Sequence, residues 1–429
     1  MAHDSSQTEG YAKLLHDAVR QGDVESVRKL VCEYKRPNEP LDGRLPLVTA
    51  VLGKSHDVIK VLLEHGADVK LKGSSAISPL GIAIHQKDPI LLETLLGYCG
   101  SLAGYAGEPL ISLALEASKE VMALMLIEHG ADINKKRGAS DCSPLMLACH
   151  GKFPRAAQKL LEMGADIEER SLSGMTPLMV ASCCSDLATA ENLIDFRAKL
   201  NAKKPAGGET ALYYAVLYQH LDMTKLLVRK GAAVNQPLAG DFTALSVAAD
   251  NNSLEIASCL LANGADVSRP RHGDVDCPSY VTAYADYRPT DALLTPLHLA
   301  AENGHAEMAR LLLNHRARID TASACGYTPL MLAAHNGHAD TVALLISRGA
   351  DINAHAADGC RALSMAAWSY DRALRRELKI GKPSTARPLT SRFGFKRDCE
   401  QPSRQYERVI AMLAKAGSVL MPCIATTGT

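Results

Sequence analysis

Between residues 328 and 354 the apolar and polar positions describe a helix, a turn, a second helix and a loop. Thr328 is a natural N-cap, and Pro329 suits the first helical turn, where its missing N–H is not needed. Leu330, Leu332, Ala333 and Ala334 then predict a short helix whose small residues let a neighbour stack closely. Asn336 and Gly337 break it. Val342, Leu344, Leu345 and Ile346 form the apolar face of a second helix. Gly349 supplies the left-handed residue that ends that helix. A hairpin-like excursion through residues 351–359 leads to the next unit.

The pattern recurs along the chain. A Pro or Ala followed by Leu opens a unit at Pro46, Pro79, Pro109, Pro144, Pro177, Ala211, Ala244, Pro296, Pro329 and Ala362, in steps of 33, 30, 35, 33, 34, 33, 52, 33 and 33 residues. A second anchor, Gly-Ala-Asp or a variant, follows at Gly66, Gly130, Gly164, Gly231, Gly264 and Gly349. A fixed period near 33 residues is the signature of a stacked repeat.

The units resemble ankyrin repeats. Residues 295–313, reading TPLHLAAENGHAEMARLLL, are close to that family's consensus letter for letter, and residues 14–31 resemble its N-terminal cap with a charged outer face. The resemblance implies an all-α repeat solenoid of about eleven stacked repeats over residues 11–417, flanked by an extension at 1–10 and a tail at 418–429. It implies a single elongated stack with a partner-binding groove lined by hairpin tips and the ends of first helices. It does not imply which partner is bound.

Departures from the pattern matter. The third unit lacks the second anchor and has GYCGSLAGYAG at 97–107; the sixth has Cys183, Cys184, Ser185 and Asp186 at its inter-helix turn. Arg197 and Arg316 stand where glycine is expected. Units three and six are therefore expected to open most easily. Two insertions exceed the period. Residues 268–293 lengthen a hairpin on the groove side and carry Tyr280, Tyr284 and Tyr287. Residues 372–404 leave an inter-helix turn and hold ten Lys or Arg against three acidic residues. This second stretch reads as a flexible basic loop.

Composition narrows the function. Aromatic residues make up only 4% of the chain, which suits thin layers built from Leu, Ala, Val and Ile rather than one large core. Lys plus Arg equals Asp plus Glu at 47 each, so net charge offers no argument for nucleic acid or membrane. The 12 cysteines show neither zinc-site spacing nor a disulfide framework. No signal peptide or membrane-spanning run is visible, so the chain reads as intracellular with reduced thiols, cytoplasmic or nuclear.

Candidate chemistry dissolves on inspection. Gly53, Lys54 and Ser55 resemble the end of a phosphate loop, but position 48 is Val48 where that loop needs glycine. Most of the 15 histidines, among them His65, His129, His298, His305 and His338, fall at repeat-consensus positions and read as turn and inter-repeat hydrogen-bonding groups. Cys142, Cys149 and His150 lie near one another but do not make a metal set. No catalytic residue, cofactor or metal site is expected, and no enzymatic activity.

What remains is a binding surface. Leu217, Tyr218 and Trp368 are apolar or aromatic at first-helix ends, where interface anchors are found, although Tyr218 could equally pack on a neighbouring hairpin and Trp368 could lie under the last insertion. Lys135, Lys136, Arg137, Lys203 and Lys204 give the hairpin tips a positive bias that suits a partner with an acidic segment. The expected function is a monomeric scaffold or adaptor that binds one or more proteins. The alternative is a nucleic-acid-associated or phospho-regulated protein acting through 372–404, where Arg387 precedes Thr390 and Ser391.

Overall fold

The computed structural model of the protein describes residues 2–74, 77–136, 141–238, 242–270, 293–357, 359–377 and 402–417. Twenty-two helices, arranged as eleven successive pairs, and no strand occur among these residues. The chain divides into two compact units, Met1–Lys199 and Leu200–Thr429.

The first unit holds α1 (Ala2–Gln21), α2 (Val24–Tyr34), α3 (Pro46–Leu52), α4 (His56–Glu64), α5 (Pro79–His85), α6 (Pro89–Cys99), α7 (Leu110–Glu116), α8 (Glu120–Glu128), α9 (Pro144–Gly151), α10 (Pro154–Glu162), α11 (Pro177–Cys184) and α12 (Leu187–Asp195). The second holds α13 (Ala211–Leu217), α14 (Leu221–Arg229), α15 (Ala244–Asp250), α16 (Leu254–Ala262), α17 (Pro296–Glu302), α18 (Ala306–Asn314), α19 (Pro329–His335), α20 (Ala339–Ser347), α21 (Ala362–Glu377) and α22 (Pro402–Lys415).

The hydroxyl before each opening Pro or Ala does what its position predicts. Ser78, Ser143, Thr176, Thr210, Thr243 and Thr328 accept a hydrogen bond from the backbone N–H three residues on. These first helices are short and are buried along almost their whole length. The alanines Ala300, Ala301, Ala333, Ala334 and Ala366 are fully buried, which lets α17 pack on α15 and α19, and α19 on α21. Second helices bury one face only, as Val342 and Leu345 do in α20. The loops between pairs close as hairpins: the Ser323 N–H donates to the Tyr327 carbonyl at 2.9 Å, with Gly326 at φ +83° in the turn.

Both recurrent turns need a left-handed residue. The inter-helix turn uses Gly22, Gly304 and Gly337, but elsewhere Lys54, Lys87, Ser118, Lys152, Ser185, Gln219 and Asn252 adopt the same positive φ. Gly53, Lys54 and Ser55 are thus an ordinary turn between α3 and α4. After the second helix, Arg197 and Arg316 sit at φ +69° and +68°, where other repeats have glycine. Both arginines are exposed. A left-handed L-residue costs about 1–2 kcal/mol, partly offset by the extra chain entropy of an unfolded glycine. R197G and R316G are each expected to raise stability by about 0.5–1 kcal/mol in urea unfolding; a loss of stability in both would show that the arginine side chains hold these turns.

Several boundaries differ from the sequence reading. Helix α1 starts at Ala2, so most of the supposed extension 1–10 is continuous with the first repeat. Helix α21 runs on to Glu377 and α22 begins at Pro402, which makes residues 372–377 and 402–404 helix rather than loop. Apolar contact explains the extension: Ala373 is buried in α21, Tyr406, Val409 and Leu413 are buried in α22, and the Tyr370 hydroxyl donates to Glu407 at 2.9 Å. The thiols are not all free either. Cys360 is disulfide-bonded.

Candidate partner-binding surface

Most polar groups in the inter-helix turns are engaged within their own stack. Asn336 and His338 both donate to the Glu302 carbonyl, each at 2.9 Å. One repeat earlier, Asn303 donates to the Asp250 carboxylate at 2.9 Å and His305 Nε2 to the Asp250 carbonyl at 3.0 Å. In the first unit Gln86 reaches the Val51 carbonyl at 3.1 Å. The loops act similarly: side-chain oxygens of Asn38, Asn201, Asn235 and Asp320 accept from the backbone N–H groups of Asp68, Ala233, Asp266 and Asp351 of the following repeat at 2.8–2.9 Å. His305 and His338 thus stitch adjacent repeats, as their repeat position implies.

His298 is the most buried example. Its Nδ1 accepts from the Thr295 N–H at 3.1 Å, which puts the ring proton on Nε2, and Nε2 donates to the Tyr327 carbonyl at 3.1 Å. Burial pushes its pKa down to about 4, against the opposing pull of the Tyr327 and Thr321 backbone. Burial likewise lowers the pKa of His338.

Tyr218 also stands at an inter-helix turn. It occupies the position of Asn251, Asn303 and Asn336, each of which bonds to the repeat before it. Tyr218 stacks its ring on His220, with centroids 6.2 Å apart, and is 53% exposed. Leu217, just before it, is half-buried, and its carbonyl accepts from Asn251 at 3.5 Å. Trp368 on α21 lies parallel to His335 at 5.8 Å and 14°, and is 39% exposed. Ser369 holds the same His335 through a 3.0 Å contact to Nδ1, which fixes the ring under the indole. Both aromatics belong to the second unit and offer flat, partly apolar faces to solvent.

The hairpin lysines are more occupied than their spacing suggests. Lys70 donates to the Ser101 carbonyl at 2.9 Å, Lys135 to the Gly107 carbonyl, and Lys72 pairs with Glu108 at 2.9 Å. Lys136 lies 2.8 Å from both Asp141 and Glu169, and those hydrogen bonds hold its ammonium well above the usual lysine range. Lys204 pairs with the buried Glu209 at 3.7 Å. Lys203 is exposed. The tips therefore form an ion-pair ladder, and only part of their positive charge faces outward. Arg137, Tyr280, Tyr284 and Tyr287 lie outside the described residues, as do Thr390 and Ser391.

Glu108 was not singled out by sequence reasoning. It stands where other repeats carry the capping Ser or Thr, and turns back to the preceding repeat, accepting from the Ser78 N–H at 2.9 Å, from the Ser78 hydroxyl, and from Tyr105 at 2.9 Å. Burial opposes its charge, but the hydrogen bonds from Ser78 and Lys72 prevail and hold its pKa at about 2. The loop 97–107, which looked degraded, is anchored at its middle: Leu102 is fully buried, and its N–H donates to the His129 carbonyl at 2.7 Å.

Comparison with known proteins places these features in a family. The family model described as Ankyrin repeats (3 copies) matches residues 15–103, 110–204, 178–271 and 278–356. The B-cell lymphoma 3 protein homolog of Mus musculus is 25% identical over 234 residues, covering 52% of this chain and 52% of that protein. The nuclear factor NF-kappa-B p105 subunit of Gallus gallus is 31% identical over 143 residues, covering 32% of this chain and 14% of that protein. The chain thus spans about half, or less, of the length of these relatives. The solved structure of the human ASB11 ankyrin repeat domain aligns with a TM-score of 0.47 and 24% identity, over 56% of this chain and 98% of that one. No helix among the described residues is long and apolar enough to cross a membrane.

Proposed function

The chain belongs to the ankyrin-repeat family, and from that premise we propose that it is a scaffold or adaptor binding partner proteins through the first-helix ends and hairpin tips of its second unit. The observation carrying this reading is the pair Tyr218 and Trp368. Each presents a large aromatic that is partly exposed to water. Exposed, rigid aromatics backed by a stacked ring lose little side-chain entropy on binding and are favoured as interface anchors. Leu217 adds apolar area beside Tyr218, and an acidic segment on the partner would meet Lys203.

The test is cross-linked affinity capture with the full chain, followed by mass spectrometry, with and without nuclease. Y218A combined with W368A is expected to reduce recovery of the principal protein partner about tenfold or more, since two aromatic anchors are each worth about 1–2 kcal/mol. The melting temperature should stay within a few degrees of the unsubstituted protein. Unchanged recovery would place the contact elsewhere, and loss of recovery on nuclease treatment alone would favour the basic segment 372–404 and nucleic acid.

A further inference from the structure

In the first unit, Cys32 and His65 form a pair with the geometry of a thiol beside a base. Cys32 lies on α2, and His65 follows the last residue of α4, one repeat on. The Cys32 Sγ is 3.1 Å from His65 Nε2. His65 Nδ1 is 2.7 Å from the Val61 carbonyl. A carbonyl only accepts, so Nδ1 carries the ring proton and Nε2 presents its lone pair to the thiol. Nucleophile, base and a third group orienting the base are all within reach. His129 ends its helix in the same way, 2.8 Å from the Met125 carbonyl, so the ring orientation belongs to the repeat and Cys32 adds the chemistry.

Two further features bear on reactivity. Cys32 is the one exposed free cysteine among the described residues. Arg28 and Lys29 lie one helical turn before it, Lys35 and Arg36 follow just past the end of α2 at Tyr34, and all four are exposed. Against them stand Glu33 beside the cysteine and Glu64, which is 3.9 Å from Arg28. The surroundings are net cationic and suit an anionic reagent.

We propose that Cys32 is a thiol–disulfide exchange site for anionic small-molecule disulfides of the glutathione class, with His65 as its general base. The Cys32 S–H proton passes to His65 Nε2 as Sγ attacks one sulfur of the disulfide. The new S–S bond forms, the old one breaks, and the departing thiolate takes the electron pair and then the proton from His65. Cys32 is oxidised to a mixed disulfide, one sulfur of the reagent is reduced, and no other oxidant is needed. The adduct removes the thiol–imidazole contact joining the first two repeats. This site is independent of the partner-binding reading.

The experiment exposes the full-length protein to oxidised glutathione, follows adducts at each cysteine by mass spectrometry, and repeats the series with the neutral reagent iodoacetamide. Cys32 is expected to react first, and about tenfold faster than the same cysteine in a free peptide of residues 24–36, which has the cations but lacks His65. H65Q should slow Cys32 about tenfold toward both reagents. K29Q should slow oxidised glutathione more than iodoacetamide, and less so as salt rises. A rate equal to that of the free peptide, or faster modification of another cysteine, would overturn the proposal; so would an H65Q protein of unchanged melting temperature and unchanged rate.

Discussion

Lowering the pH from 7 to 4 is expected to remove on the order of 3 kcal/mol from the second unit through His298 alone. In the unfolded chain this imidazole titrates near its ordinary value of 6.5, whereas burial holds it to about 4 in the fold. The folded state thus favours the neutral ring. Its contribution is fully present above pH 6.5 and is lost as the pH falls through the window down to 4, because the unfolded chain takes up the proton first. His338, also shifted downward by burial, acts in the same sense and direction. Hydrogen exchange at pH 7 and at pH 4.5, corrected for intrinsic rates, should show the protection of residues 295–346 falling most. H298Q keeps a donor for the Tyr327 carbonyl but does not titrate. It should be less stable at pH 7 and show a much shallower acid response. An H298Q protein that lost protection as steeply as the unsubstituted one would assign the acid sensitivity to other groups.

Removing the Glu108 carboxylate should be the most damaging single polar substitution in the first unit. E108A strands Lys72, the Ser78 hydroxyl and N–H, and the Tyr105 hydroxyl, and is expected to destabilise by about 2–3 kcal/mol. That corresponds to roughly a hundredfold fall in protection around α5 and α7. E108Q keeps the shape and part of the hydrogen bonding, so it should fall between. The pH window separates this site from His298. A carboxylate held at about 2 instead of 4.5 contributes above pH 4.5, and that contribution is lost as pH falls toward 2. The expected acid profile of the molecule is therefore biphasic, with the second unit weakening first. Equal protection in E108A and the unsubstituted protein would mean that the third repeat is held by Leu102 and its neighbours alone.

Much of this architecture is legible in the residue order, because each ankyrin unit is a local structure. The hydroxyl cap, the opening Pro or Ala, the paired alanines and the terminal glycine act over distances of a few residues, so their spacing along the chain predicts eleven helix pairs without reference to the fold. The structural duty of the histidines follows from the same register: a residue at the place of His305 or His338 must face the carbonyls of the preceding repeat. Arg197 and Arg316 could be recognised as strained because glycine stands at that register elsewhere. Three things were decided only when the repeats stacked. Glu108, which the residue order did not single out, takes its role from Ser78 and Lys72, some 30 and 36 residues away in the chain and brought close by stacking. The lysines of the hairpin tips look like free charge in sequence and become ladder rungs, since an ammonium on a flexible stem reaches the next hairpin as easily as solvent. Cys32 and His65 lie in different repeats, 33 residues apart, and only His65 sits at a repeat-consensus position; a contact of 3.1 Å between them exists because one period of the chain returns to the same face of the stack.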